Sequence, residues 1–236
     1  MNRISTTYSK PAPKDETFTP EPIRPLHVPD RIEDWPETRS KILDAWQAVI
    51  GQPAFDPTAA FDRSSEIVTN FEQDAYVGTV LLQPTTPTTR QTLLLMTPKK
   101  PVAESCPGMV IPFYDPDRMA GIDIRTQAPL LEEESAIQFG RHLAAQGYIV
   151  VCPEVFPFNT VPEPVNSAGM NWWQAAADQL RVDHPDWTGV GRLAWDASRA
   201  LDLLLEQPYI DTTRCGVMGH SLGGKIAFYA AALDTR

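Results

Sequence analysis

Histidine is scarce in this chain: four among 236 residues, none of them after position 220. No two of His27, His142, His184 and His220 stand at a metal-ligand spacing. Cysteine is scarcer still. Cys106, Cys152 and Cys215 lie far apart and form no Cys-x-x-Cys pair, which leaves no disulfide framework and no zinc site. Cys152 and Cys215 fall in or beside apolar strand patterns and read as buried, inert thiols. Neither a metal nor a cofactor is expected. Basic residues number 20 against 30 acidic ones, for a net charge of -10, and they form no basic run. That balance argues against nucleic acid and against an anionic membrane surface as partners. No stretch reaches the length of a transmembrane helix. Residues 1 to 29 lack the apolar core of a signal peptide, so the expected location is cytoplasmic.

Proline and threonine, by contrast, crowd the N-terminus. Five prolines fall between Pro11 and Pro25, and residues 1–35 read as a flexible arm. Residues 36–60 form a small helical element, in which Ile42, Ala45, Trp46 and Val49 share a face over Glu37 to Ile50 and Gly51 stops the helix. Trp46 is expected in the core. Residues 61–236 read as the N-terminal part of one α/β domain. Strands are predicted at Glu66 to Val68, Tyr76 to Leu82 and Gln91 to Thr97, antiparallel at a sheet edge. Further strands follow at Gly108 to Tyr114, Tyr148 to Cys152 and Cys215 to Met218. Helices are predicted over Glu132 to Gln146, Trp195 to Leu205 and Gly223 to Leu233. The alternation points to a mostly parallel central sheet with helices on both faces.

The most informative motif is Gly219-His220-Ser221-Leu222-Gly223. It follows a strand and opens a helix, which is the context of a Gly-x-Ser-x-Gly nucleophile elbow. Ser221 is the expected nucleophile. It stands at a helix N-terminus, where free N–H groups and the helix dipole favour developing negative charge. The Leu222 backbone N–H is one expected oxyanion donor. The other is the N–H of Phe113 or Tyr114, in the loop after the strand that begins at Gly108. Tyr114, Asp115, Glu154 and Trp172 are expected to line the substrate pocket. Asp115 and Glu154 each follow the C-terminal end of a strand, where open α/β sheets place their ligands. Turn capping is the plainer role for Asp115 and Asp117, and core packing for Trp172 or Trp173. His220 is expected to point into the fold, away from the Ser221 hydroxyl. His142, mid-helix, reads as a structural or surface residue. His184, before Pro185 in an Asp/Pro-rich turn, is not expected to be the base. Asp178, Asp183 and Asp196 read as helix-surface or capping residues, and none is assigned as a triad acid.

The segment Gly191-Arg192-Leu193-Ala194-Trp195-Asp196, the helix through Arg199-Ala200-Leu201-Asp202, the Asp211 to Arg214 turn and Gly216 to Gly224 together resemble an α/β-hydrolase of the dienelactone hydrolase and acetyl xylan esterase type. The resemblance runs from about Tyr76 onward. It implies ester hydrolysis through Ser221 without a cofactor, with an Asp and a His later than Arg236. Dienelactone hydrolases use a cysteine nucleophile; the serine here favours the esterase-like branch. On this reading the fold is incomplete after the nucleophile helix, and a C-terminal segment or a second polypeptide is expected to complete it.

The function expected is that of a serine carboxylic-ester hydrolase, acting through an acyl-serine on a small or carbohydrate-linked ester. The alternatives are a noncatalytic or incomplete hydrolase-fold fragment that needs a partner chain, and an acyltransferase or peptidase of the same fold.

Overall fold

The computed structural model describes residues 28–57, 63–101, 104–130, 132, 135–166 and 168–236. Most of the Pro-rich arm, His27 included, lies outside the described residues. The chain divides into two compact units, Met1–Ile42 and Leu43–Arg236. In the first, a 3-10 turn (Ile32–Asp34) leads into helix α1 (Trp35–Ile50), whose last residues belong to the second unit. Glu37 and Lys41 pair across one turn of α1 at 2.6 Å. The apolar stripe on the α1 segment of the second unit is not buried as its spacing predicts. Trp46 is 45% exposed and Val49 68%; the Trp46 indole meets Tyr229 edge-on instead of entering the core.

The second unit holds a sheet of β1 (Glu66–Glu72), β2 (Tyr76–Pro84), β3 (Arg90–Pro98), β4 (Cys106–Val110), β5 (Ile149–Pro153) and β6 (Ile210–Val217), in the order β1-β2-β3-β5-β4-β6. Pairings β1/β2, β2/β3 and β3/β5 are antiparallel; β4/β5 and β4/β6 are parallel. The expectation of a mostly parallel sheet is thereby corrected. Short connections after β1 and β2 can join only antiparallel neighbours, whereas parallel neighbours need a long crossover. Those crossovers carry α2 (Pro116–Ala120), α3 (Phe139–Ala145), α4 (Asn171–Asp183) and α5 (Gly189–Leu205), and α6 (Leu222–Leu233) follows β6.

Strand alternation sorts the core onto two faces. Leu94, Met96, Val150 and Cys152 turn towards Met119 and Ala120 of α2 and Ala144 of α3. Leu93, Leu95, Ile149 and Val151 turn towards Ala200, Leu203 and Leu204 of α5. Helices therefore cover both faces, as the apolar runs of the central strands require. Helix α3 begins at Phe139, not near Glu132. Ahead of it, Ser135 N–H donates to the Glu132 carbonyl at 3.0 Å, and Gln138 is buried. Helix α5 starts earlier than predicted, capped by the Thr188 hydroxyl, which accepts from Gly191 N–H at 3.2 Å.

Candidate active site

The three parallel strands deliver their C-terminal ends to one side of the sheet, where ligands of such folds are held. Val110 of β4 and Val217 of β6 are register partners, and Met218 N–H donates to the Val110 carbonyl at 3.1 Å. The loops that follow these two strands are consequently neighbours. The loop after β6 is the elbow. Ser221 sits there with φ +54° and ψ -113°, a left-handed conformation that is costly for a residue with a side chain. Two glycines allow the turn. A Cβ at Gly219 would overlap the Gly223 backbone, and a Cβ at Gly223 would overlap the Pro112 carbonyl oxygen. The Gly223 backbone is thereby brought against the Pro112-Phe113 loop. Ser221 is exposed and Leu222 is the first residue of α6.

Phe113 forms an isolated parallel bridge with Glu154, the residue after β5. The next residue, Tyr114, meets Phe113 and Phe158 edge-on, with centroids 4.6 and 5.6 Å away. Phe158 in turn meets Trp172 at 4.8 Å, whose indole N–H donates to the Val161 carbonyl at 3.2 Å. A continuous aromatic wall thus runs from the loop beside the elbow to the start of α4. Asp115 caps α2: its carboxylate accepts from Arg118 N–H at 3.0 Å and lies 3.6 Å from the Arg118 guanidinium. Asp115 and Glu154 also line one cavity of about 400 Å³, together with Asp117, Arg118, Asp123 and Arg125; Ser221, Tyr114 and Trp172 are not among its lining residues. Burial pushes the Glu154 carboxyl up, against the hydrogen bond from Thr92 and the charge of Arg125. Burial also raises Asp117, whose carboxylate accepts from Ile124 N–H at 2.6 Å. Asp123 is held below its usual range by the N–H groups of Thr126 and Arg125.

His220 is exposed, with its ring edge-on to Phe139; the sequence-based expectation that it enters the fold is corrected, since the turn directs it outward. The Nε2 of His142 lies 2.9 Å from the Ser135 carbonyl. The Nδ1 of His184 accepts from Ala54 N–H at 3.1 Å, and burial lowers its basicity. Among the described residues, no group of three or more His, Cys, Asp and Glu stands where it could hold a metal ion. Also among the described residues, no helix is long and apolar enough to cross a membrane.

Sequence reasoning missed Phe158, the ring that joins Tyr114 to Trp172. Its signal was available: an aromatic in the loop leaving the C-terminal end of a buried strand. Arg125 gave no such signal, since its loop has no periodicity to place it.

This arrangement of sheet, crossover helices and strained serine turn is the α/β-hydrolase fold. Within it, the chain resembles the dienelactone hydrolase and acetyl xylan esterase type, and the model of the dienelactone hydrolase family matches residues 130–236. Solved structures with this fold include a candidate acetyl xylan esterase from Bacteroides fragilis, with a TM-score of 0.59 and 16% identity over 86% of this chain and 51% of that one. A glucuronoyl esterase from Solibacter usitatus aligns with a TM-score of 0.56 and 19% identity, over 86% of this chain and 57% of that one. An acetyl xylan esterase from Paenibacillus sp. R4 aligns with a TM-score of 0.50 and 17% identity, over 92% and 62%. The chain thus spans between half and two thirds of the length of these structures. No curated protein matches the sequence.

Proposed function

We propose that the protein is a serine carboxylic-ester hydrolase with Ser221 as nucleophile. The observation that carries this reading is the elbow itself: a non-glycine residue held at φ +54° between β6 and α6 by two glycines that admit no side chain. Strain of this kind persists only where the surroundings over-determine it. In the first step the Ser221 hydroxyl oxygen attacks the ester carbonyl carbon and its proton passes to a general base. The Leu222 N–H and the Phe113 or Tyr114 N–H stabilise the oxyanion. Collapse of the tetrahedral intermediate expels the alcohol with that proton. Water then attacks the acyl-serine and releases the acid.

The base and its orienting acid are assigned to groups outside residues 1–236, supplied by a C-terminal segment or a second polypeptide. The substrate assigned is a small or carbohydrate-linked ester. Carboxylates and guanidinium groups around the cavity at Glu154 suit hydroxyl groups, and the wall of Tyr114, Phe158 and Trp172 suits a ring face. Tyr114, Asp115, Glu154 and Trp172 are the pocket residues of this reading.

The test is reaction of the protein, in the assembly in which it is purified, with a fluorophosphonate, followed by intact mass and peptide mapping. A single adduct on Ser221, abolished by Ser221→Ala, is expected. A folded preparation that takes no label, while a control hydrolase does, would mean a noncatalytic chain.

A further inference from the structure

The motif that begins at Gly191 has no part in the chemistry above, yet it holds the most buried charged side chains among the described residues. The side chains of Arg192 and Asp196 are 1% and 0% exposed and pair at 2.8 Å across one turn of α5. Removing two charges from water costs several kcal/mol per ion, and apolar residues of the same size often serve stability as well or better. Stability alone therefore does not account for the pair, and its other hydrogen bonds do.

The second oxygen of Asp196 accepts from Phe156 N–H at 3.0 Å and from the Asn159 side-chain amide at 2.7 Å. Both donors belong to the loop after β5. On the other side, Arg192 donates to the hydroxyls of Thr85 and Thr89, at 2.8 and 3.0 Å, in the turn between β2 and β3. The guanidinium also lies over the Trp187 ring, 5.6 Å from its centroid. One helical turn of α5 thus ties the β2–β3 turn to the loop that carries Phe158.

Phe158 lies between the two clamped positions, Phe156 and Asn159. Its ring meets Tyr114 on one side and Trp172 on the other. We infer that Arg192 and Asp196 are positioning residues: through Phe156 and Asn159 they fix Phe158, and so set the aromatic wall beside the Ser221 elbow. Calling the wall substrate-facing rests on the function proposed above; the clamp itself does not.

The experiment compares wild type with Asn159→Ala, which leaves the ion pair intact at a half-buried loop position, and with Asp196→Asn. Hydrogen exchange is followed by mass spectrometry on the full chain, alongside ester hydrolysis by the assembly whose Ser221 takes label. Hydrogen bonds to a charged group are worth enough that losing one should speed local exchange about tenfold. In Asn159→Ala the increase should be confined to residues 154–161 and 112–116, with α5 and α6 unchanged. KM for a ring-bearing ester should rise about tenfold while kcat stays within about twofold, and the rate of labelling by a small fluorophosphonate should not move. Asp196→Asn should speed exchange over 154–161 more strongly, and α5 and the β2–β3 turn with it, because Arg192 loses its buried counter-ion. In Asn159→Ala, exchange that rises equally in α5 and in β2–β3 would make the pair a general core contact and overturn the inference. So would faster exchange over 154–161 with an unchanged KM. If wild-type Ser221 takes no label, the proposed function fails, and the exchange data still decide whether the clamp exists.

Discussion

Strands β5 and β6 flank β4, run parallel to it and release their loops on the same side of the sheet. They are nevertheless fixed in different ways. All five residues of β5 are buried, whereas none of the eight in β6 is fully buried. β6 pairs on one side with β4 and on the other with no strand among the described residues. The loop after β5 is held by a buried carboxylate. The loop after β6, which carries the candidate nucleophile, is held by backbone fit: Gly219 against Gly223, and Gly223 against Pro112. A carboxylate clamp tolerates small movements of its partners. A backbone-to-backbone fit tolerates none, which is what holding Ser221 at a strained φ requires.

The largest expected effect breaks the second device. In Gly223→Ala the new methyl group meets a backbone carbonyl, not a side chain that can turn away. Overpacking typically costs about 1–3 kcal/mol, and more where the clash is with backbone that cannot turn away. The rate of Ser221 labelling should fall at least about a hundredfold, because the elbow must open to make room. Labelling of Gly223→Ala at the wild-type rate would show that the elbow does not depend on this contact.

A smaller effect sharpens the contrast in burial. Val151 of β5 is 0% exposed, while its counterpart Val217 of β6 is only partly buried. Val151→Ala should cost about 2–3 kcal/mol in urea unfolding of the isolated chain, and Val217→Ala less than about 1 kcal/mol. Equal costs would mean that β6 is as well packed as β5. A cost at Val217 that rises only in the presence of a co-purifying polypeptide would show that the partner covers this strand.

The legibility of the sequence follows the same division. The β1–β3 hairpins, β5 and the elbow were readable because each has a local signature: alternation, a short apolar run, or glycines around a serine. The mixed direction of the sheet was less so, since β3 meets β5 across more than fifty residues and no local pattern announces the pairing. The start of α3 was misplaced because three glutamates resemble a first helical turn. Trp46 was assigned to the core from its periodicity alone, and periodicity does not say what covers a face. Among the candidate site residues, Ser221 was named from its motif, Asp115 and Glu154 from their places at strand ends, Tyr114 from the loop after a strand and Trp172 from a loop-helix junction. The role of Asp196 was invisible, because its partners Phe156 and Asn159 lie about forty residues away in a proline-rich loop.

The smallest effect concerns how the two strands respond to acid. At the entry to β6, the Asp211 carboxylate accepts from the Thr213 hydroxyl at 2.6 Å, from Thr213 N–H at 3.0 Å and from the Arg214 guanidinium at 2.6 Å. Arg214 in turn donates to the Ser105 carbonyl at 3.0 Å. The Thr213 and Arg214 hydrogen bonds lower the Asp211 pKa from 3.8 to about 2. A carboxyl lowered on folding adds stability above its unfolded value, and loses it as pH falls from 3.8 towards about 2. Glu154, just after β5, has the opposite sign. Burial raises its pKa above 4.5, so the folded state holds the proton more tightly, and its contribution is full below 4.5 and declines as pH rises above it. Acid should therefore loosen the β6 entry while it favours the neutral form of the carboxyl after β5. Carboxyl carbon shifts followed by NMR should give a midpoint near 2 for Asp211 and one above 4.5 for Glu154. Midpoints at the unperturbed 3.8 and 4.5 would mean that neither network forms, and the electrostatic difference between the two strands would disappear.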